Sequence, residues 1–258
     1  MSKNSIVSEI AIRTSDLRKR GAFDDALTIV LEGLRTCPND CCLLMSLGVL
    51  QLETTHIDDA ILTFRRVIQL MPNNAAAHYN LGCALSSQGI FPESIAEFQS
   101  AISIDPNDSD IHERLGNDLV AIHSFPEAIT EYETALQLSP TRVGLYLSKA
   151  LVLYDIAELD QTIGSQQKWA SAREAFLTAI QASPTSSEAY YGLGVCEFRL
   201  KHFAASTVAF KNATAISPEK EHFYLALGRS QFRSLQWQAA WNTAKTYCKI
   251  KTKTSTGM

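Results

Sequence analysis

Residues 75–108 read AAAHYNLGCALSSQGIFPESIAEFQSAISIDPND, and this stretch of 34 residues carries the pattern that decides the fold. Its first half places small and apolar residues around the Leu81-Gly82 pair, and its second half runs from Phe91 to a closing Pro106. A proline in a helix interior loses a hydrogen bond and clashes with the preceding turn, so Pro106 marks the end of a helix. The stretch therefore predicts two short helices joined by a turn near Gly89.

The same pattern recurs along nearly the whole chain with a period of 34 residues. Prolines close successive repeats, and one of the steps between them is ten residues longer than the other four. A fixed period of this size is typical of a solenoid, in which each repeat buries its apolar face against its neighbours. The closing prolines are Pro38, Pro72, Pro106, Pro140, Pro184 and Pro218.

Further positions keep this register when Ala75 is counted as position one. A Leu-Gly pair fills positions seven and eight in five repeats, and a small residue fills position twenty in all seven. The pattern resembles the tetratricopeptide repeat, a helix–turn–helix unit with Leu-Gly, aromatic, Ala, Phe and Pro positions. The resemblance implies an all-α fold, a right-handed α-solenoid (superhelix) of antiparallel helix pairs. Position seventeen is large and apolar throughout, as Phe23, Ile57, Phe91, Phe125, Trp169, Phe203 and Trp237.

We expect a single array over residues 7–254, with tails at 1–6 and 255–258. The fifth repeat holds the ten additional residues, which we place between its two helices, within 156–168 and with a loop tip at Gly164 and Ser165. Such an insertion is either part of a binding face or a merely lengthened helix pair, and the sequence leaves both open. The predicted repeats are 7–40, 41–74, 75–108, 109–142, 143–186, 187–220 and 221–254.

Composition and motifs exclude several classes of function. The chain has no apolar run of membrane-spanning length and no signal-peptide pattern, so we expect a cytoplasmic protein. It lacks the nucleophile, phosphate-loop and zinc motifs of enzymes, and its six cysteines and six histidines lack metal-ligand spacing, so we expect no enzyme, cofactor or metal. Nothing organises basic and aromatic residues for reading nucleic-acid bases. The net charge is −4, yet residues 222–258 hold six bases and no acid.

The resemblance also implies that the first helices of the repeats line a concave groove. Its middle would be polar, with Tyr79, Asn80, Glu113, Arg114 and Asn117. Its C-terminal half would be an apolar strip bordered by arginines, and such a strip favours an apolar peptide or helix that carries an acid or a free carboxylate. This half comprises Leu147, Leu151, Tyr154, Tyr191, Val195, Phe198, Arg199, Arg229 and Arg233.

The sequence therefore predicts a non-enzymatic adaptor or scaffold that binds a peptide or helical segment of another protein. Two alternatives stay open. The chain could be the partner- or substrate-recognition segment of a larger enzyme or assembly machine. It could instead be a structural protein that forms homodimers through its last helix, where Trp241 and Tyr247 lie. Trp237 fills the recurring aromatic position, and we expect it in the core.

Overall fold

The computed structural model describes residues 3–160 and 165–255, with side chains described for 6–160 and 165–251. These residues form fourteen α-helices and no strand, which confirms the all-α helical-repeat fold. Consecutive helices pair as hairpins, seven in all. The helices are α1 Lys3–Lys19, α2 Phe23–Thr36, α3 Cys41–Glu53, α4 Ile57–Leu70, α5 Ala75–Ser87, α6 Phe91–Ile104, α7 Ser109–Ala121, α8 Phe125–Leu138, α9 Val143–Leu159, α10 Ser165–Ala182, α11 Ser187–Arg199, α12 Phe203–Ile216, α13 Glu221–Arg233 and α14 Trp237–Ser255.

The chain divides into two compact units, Met1–Leu138 and Ser139–Met258. The first compact unit holds α1 to α8 and the second holds α9 to α14. Within each, the second helix of a hairpin packs against the first helix of the next hairpin, as a repeat protein requires. The single array over 7–254 stays a prediction. Helix α1 begins at Lys3 and α14 ends at Ser255, so both expected tails are partly helical.

The fifth repeat corrects one expectation. Its ten additional residues do not all lie between the helices, because α9 and α10 have 17 and 18 residues where most hairpins have 13 and 14. Residues 156–159 extend α9, and residues 165–168 extend α10. Ser165 is the first residue of α10, and the predicted loop tip at Gly164 lies outside the described residues. The insertion thus lengthens both helices, and its part in a binding face stays a prediction.

Side-chain caps fix where the first helices of several repeats begin. Asp40, Asn74 and Ser186 each accept a hydrogen bond from the backbone N–H three residues later, at 3.0–3.2 Å. These side chains satisfy N–H groups that have no partner inside the helix, and each cap stabilises its helix by about 1 kcal/mol. Each capping residue stands two positions after a closing proline, so the same short segment ends one hairpin and starts the next.

The Leu-Gly pair has a packing reason. At Gly82 an added Cβ would lie 2.7 Å from a ring carbon of Phe98, and at Gly48 it would lie 2.6 Å from the ring of Phe64. The aromatic residue at position twenty-four therefore lies directly on the backbone of the first helix, where only glycine leaves room. Both rings are fully buried, and they form the centre of each hairpin.

In six of the seven hairpins the turn places position fifteen in the left-handed region. Gly21 and Gly89 have φ of 74° and 75°, while four other repeats put a side-chain-bearing residue there. A residue with a Cβ loses roughly 1 kcal/mol in this region relative to glycine. These four residues are Thr55, His123, Lys201 and Leu235, with φ between 61° and 66°.

Lys201→Gly is expected to stabilise the protein by about 0.5–1 kcal/mol, because Lys201 is exposed at φ 66° and glycine adopts that conformation without strain. The free energy of unfolding from urea titrations checks this. Lys211→Gly is the matched control, since Lys211 is an exposed lysine inside α12 and its replacement should destabilise by about 1 kcal/mol. Equal losses in both variants would contradict the strain argument.

Two histidines serve packing in the first compact unit. His78 and His112 both occupy position four and are buried. His78 Nδ1 lies 2.6 Å from a Glu97 carboxylate oxygen, and its Nε2 lies 2.9 Å from the Pro72 carbonyl. In the fifth repeat the Tyr146 hydroxyl donates to the carbonyl of the closing Pro140 in the same way. Position four therefore ties the first helix to the proline that precedes it.

Candidate functional site

The apolar half of the predicted groove lies on the first helices of the second compact unit, α9, α11 and α13. Two cavities open on this surface, with volumes of about 330 Å³ and 210 Å³. Both are lined by Tyr154 of α9 and Tyr191 of α11, so they adjoin. Leu151 lines the smaller cavity and is 44% exposed. We call this surface, centred on the two tyrosines, the inner surface.

Aromatic contacts hold the two tyrosines in place. The Tyr191 ring stacks on Phe223 at a centroid distance of 4.9 Å and an interplanar angle of 22°. The Tyr154 ring meets Trp169 edge-on at 5.4 Å. Burial raises the pKa of both phenols, while Arg229 acts in the opposite direction on the pKa of Tyr191. Both side chains therefore stay neutral, and they offer an apolar face with a polar end to a ligand.

The three predicted arginines differ in what they already contact. Arg199 donates to both carboxylate oxygens of Glu158, at 2.5 and 2.8 Å, and its guanidinium lies 5.3 Å from the Trp169 centroid. Arg233 lies over the Phe203 ring at 4.7 Å. Within the described part of the chain, Arg229 is exposed and forms no ion pair. Arg229 is thus the one of these three arginines that lines one of the two cavities and has no ion pair among the described residues.

The smaller cavity also contains an ion pair that the sequence pattern did not reveal. Lys220 and Glu188 both line it and are hydrogen-bonded to each other. The hydrogen bond from Lys220 lowers the pKa of the Glu188 carboxyl, so this residue stays ionised. Glu188 is at position two and Lys220 at position thirty-four, and only the stacking of consecutive hairpins brings these positions together.

The structure brings together seven of the nine residues predicted for this half of the groove. Leu147 lines neither cavity; it is half-buried and packs against the core around Phe176. Arg233 lines a third cavity, between α13 and α14, instead of these two. The predicted residues that line the two cavities are Leu151, Tyr154, Tyr191, Val195, Phe198, Arg199 and Arg229.

The polar half of the predicted groove lies in the first compact unit, where several of its side chains interact with other groups of the chain. Interaction with the Tyr79 side chain raises the pKa of the Arg114 guanidinium. The Asn80 amide donates to the Ala76 carbonyl at 2.8 Å, and the Asn117 side-chain oxygen accepts from the Tyr132 hydroxyl at 2.7 Å.

Both asparagine side chains of this polar set therefore already have partners within the chain. Glu113 is half-buried on α7, the helix that also carries Arg114 and Asn117. Burial raises the pKa of Tyr132 to about 12, so its hydroxyl keeps the proton that it donates to Asn117. The polar set offers a ligand fewer open groups than the inner surface does.

A buried carboxylate in the first compact unit was not predicted. Asp118 is 3% exposed, and its oxygens lie 2.6 Å from the Ser86 hydroxyl and 2.5 Å from the Ser94 hydroxyl. Ser94 also lies 2.7 Å from the Gly82 carbonyl. Ser94 occupies position twenty, where most repeats have alanine. This hydroxyl was the feature of the sequence that could have indicated a buried hydrogen-bond partner. Asp118 ties α5, α6 and α7 together.

The residues predicted for self-association lie on α14. Trp241 is 61% exposed and Tyr247 is half-buried, and both line a cavity of about 690 Å³ between α13 and α14. Trp237 corrects a prediction, because it is 53% exposed and not in the core. Among the described helices, α13 is the one against which α14 packs closely, so one side of the α13–α14 hairpin stays uncovered. We call this uncovered side, which carries Trp237, Trp241 and Tyr247, the end face.

No helix among the described residues is long and apolar enough to cross a membrane. No group of three or more His, Cys, Asp or Glu side chains among them is arranged to hold a metal ion.

Solved structures of similar fold are repeat proteins. YrrB, described as a TPR protein with an unusual peptide-binding site, is 17% identical, with a TM-score of 0.65 over 78% of this chain and 97% of its own. A tetratricopeptide repeat protein from Parabacteroides merdae is 14% identical, with a TM-score of 0.65 over 95% of this chain and 93% of its own. PilF of Pseudomonas aeruginosa is 16% identical, with a TM-score of 0.63 over 83% of this chain and 91% of its own. At these identities the likeness concerns the fold alone.

Sequence comparison also indicates a repeat protein. No curated protein matches this chain significantly. The family model described as Tetratricopeptide repeat matches residues 45–109 and 164–221, which lie one in each compact unit. Seven helical hairpins lie in the same 34-residue register. The chain contains tetratricopeptide repeats in both compact units.

Proposed function

We propose that this chain is a non-enzymatic adaptor whose inner surface binds an apolar segment of a partner protein through a carboxylate on that segment. Tetratricopeptide repeats are generally protein–protein interaction modules, which supports the choice of a protein partner. The observation that carries the proposal is the pair of adjoining cavities beside Arg229, a guanidinium without an ion pair among the described residues.

The apolar part of the partner would supply most of the affinity. Tyr154 and Tyr191 are held by aromatic neighbours, so little side-chain entropy is lost when they make contact. Leu151 adds exposed apolar area at the edge. A few aromatic anchors of this kind commonly dominate the binding energy of an interface. The cavities accept one or two large apolar side chains of the partner.

The carboxylate would fix the direction of the bound segment. Arg229 lies at the rim of the larger cavity, where a guanidinium forms charge-assisted hydrogen bonds with a carboxylate. Arg199 is a weaker candidate because its Nη2 already donates to both carboxylate oxygens of Glu158. The ligand that fits is therefore an apolar peptide or helix with a carboxylate about one side chain away from its anchor residue.

A displayed peptide library with free C-termini tests the proposal. Peptides selected on the purified chain should be apolar and carry an acidic residue or use their C-terminal carboxylate. In fluorescence-polarisation titrations of such a peptide, Arg229→Gln and Leu151→Glu should each weaken binding by about tenfold or more, since a hydrogen bond to a charged group contributes roughly 1.5–3 kcal/mol.

Val208→Glu is the matched control, because Val208 is a 60% exposed apolar residue on α12, away from the lining of both cavities. It should leave the affinity unchanged. Circular dichroism should be the same for all three variants. Recovery of no peptide, or selected peptides that bind Arg229→Gln as tightly as the original chain, would overturn the proposal.

A further inference from the structure

The end face is exposed, whereas the corresponding face of the preceding hairpin is covered by the next helix. In the sixth repeat, α13 packs against α12 and leaves Thr207, at position twenty-one, 2% exposed. In the second repeat α5 packs against α4, and Ile61 at the same position is 7% exposed. Trp241 occupies position twenty-one of the last hairpin and is 61% exposed. The end face therefore has the slot for one more helix, lined by large apolar side chains.

The slot also contains a pocket that four other hairpins, the second, third, fourth and sixth, fill with their own ring. In the sixth repeat the Phe210 ring lies on Gly194, so close that an added Cβ would be 2.7 Å from it. In the last hairpin Ala244 stands where the ring residue would be, and the nearest atom to a Cβ on Gly228 is Thr243 Cγ2 at 3.8 Å. Gly228 and Ala244 both line the cavity of about 690 Å³. A large side chain from outside fits there.

The positive charge of the end face favours an acidic partner helix over a second copy of this chain. The end face is basic, with Arg229, Arg233 and Lys245 around the exposed tryptophans, and residues 222–258 contain no acid at all. A second copy docked symmetrically would bring two basic faces together, and juxtaposed like charges cost several kcal/mol. A partner helix with acidic flanks would instead gain from the same field and associate faster.

We propose that the end face binds an acidic amphipathic helix of another protein, one of whose large apolar side chains inserts between Gly228 and Ala244. The helix lies in the slot as α13 lies against α12, with its apolar stripe on Trp241 and Phe232. Its acidic residues face Arg233 and Lys245. The end-face cavity shares Phe198 and Arg229 with the larger cavity of the inner surface. Ala244 and Trp241 line neither inner-surface cavity, so variants at these two positions test the end face by itself.

Two designed peptides test this site directly. Both are fluorescein-labelled amphipathic helices of about 18 residues with one stripe of Leu and Phe, and they differ only in carrying Glu or Lys beside the stripe. In polarisation titrations the Glu peptide should bind at least about tenfold more tightly than the Lys peptide, and added salt should reduce the difference. Equal affinity of both peptides, or no binding of the Glu peptide, overturns the proposal.

Ala244→Phe is the decisive variant, because its ring should fill the pocket over Gly228 as Phe210 does over Gly194. Thermal stability should be preserved or raised, while binding of the Glu peptide weakens by about tenfold or more. Trp241→Glu should also abolish binding, and the control Val208→Glu should not change it. Ala244→Phe should leave library-selected peptides bound to the inner surface, so the two proposals fail separately.

Unchanged binding of the Glu peptide to Ala244→Phe would show that the pocket is not used and would overturn the proposal. Sedimentation velocity of the chain alone addresses the competing occupant. We expect a monomer at micromolar concentration. A dimer that Trp241→Glu dissociates would mean that a second copy covers the end face, and would equally overturn the assignment to an acidic helix.

Discussion

Phe98→Ala is expected to destabilise the first compact unit by about 3–5 kcal/mol, because the ring is fully buried and its removal leaves a cavity over Gly82. The ring also packs near Tyr79, with centroids 6.0 Å apart, so the loss extends to a side chain of the predicted groove. Hydrogen exchange followed by mass spectrometry should show faster exchange in α5 and α6, the two helices that the ring joins.

Leu62→Ala is the matched control in the same compact unit. Leu62 lies on α4 and is 65% exposed, so its truncation should change the free energy of unfolding by less than about 0.5 kcal/mol. If Phe98→Ala left exchange in α5 and α6 unchanged, the ring would not be the centre of the hairpin. The repeat pattern would then lack the packing explanation given for its glycine.

The regular part of this fold could be predicted because each repeat position has one physical reason. The Leu-Gly pair, the aromatic residue at position twenty-four and the closing proline predict two helices, their contact and their end, and α5 and α6 show all three. Trp237 was the least predictable of the recurring positions. Position seventeen is buried only at Phe125 and Trp169, and Trp237 is 53% exposed, where among the described helices only α13 packs closely against α14.

The candidate site was less predictable, because its chemistry depends on pairs of residues distant in sequence. Arg199, Arg229 and Arg233 look alike in the sequence, yet Arg199 is paired with Glu158 of α9 and Arg233 lies over Phe203. The Glu158 partner exists only because α9 is four residues longer than most first helices. The sequence located the ten additional residues, but it could not divide them between the two helices.

Gly192 is the residue whose role the repeat pattern hides most completely. It stands at position six, where other repeats carry exposed or half-buried residues such as Asn80 and Arg114. An added Cβ on Gly192 would lie 2.2 Å from the ring of Phe176, which is fully buried. In the fifth repeat Ala150 replaces the usual glycine at position eight, and the Phe176 ring lies against Gly192 of the next hairpin.

Gly192→Ala is therefore expected to destabilise the second compact unit by about 2–3 kcal/mol, since the buried ring has no free space to enter. Gly228→Ala is the matched control on α13, where the nearest atom to the new Cβ is 3.8 Å away. That variant should stabilise the protein by up to about 1 kcal/mol, as alanine for glycine does in an unobstructed helix. Urea titrations measure the change in the free energy of unfolding for both variants, and we expect a decrease for Gly192→Ala and an increase for Gly228→Ala.

The double variant Ala150→Gly with Gly192→Ala tests whether the two positions share one ring. Removing the Ala150 methyl opens the space over α9 that rings occupy in the other repeats, so Phe176 could move back onto it. The combined loss should then be smaller than the sum of the single losses by about 1 kcal/mol, because residues that contact one side chain are not additive. Strict additivity would mean that Ala150 does not place the ring on Gly192, and that the neighbouring hairpin alone determines its position.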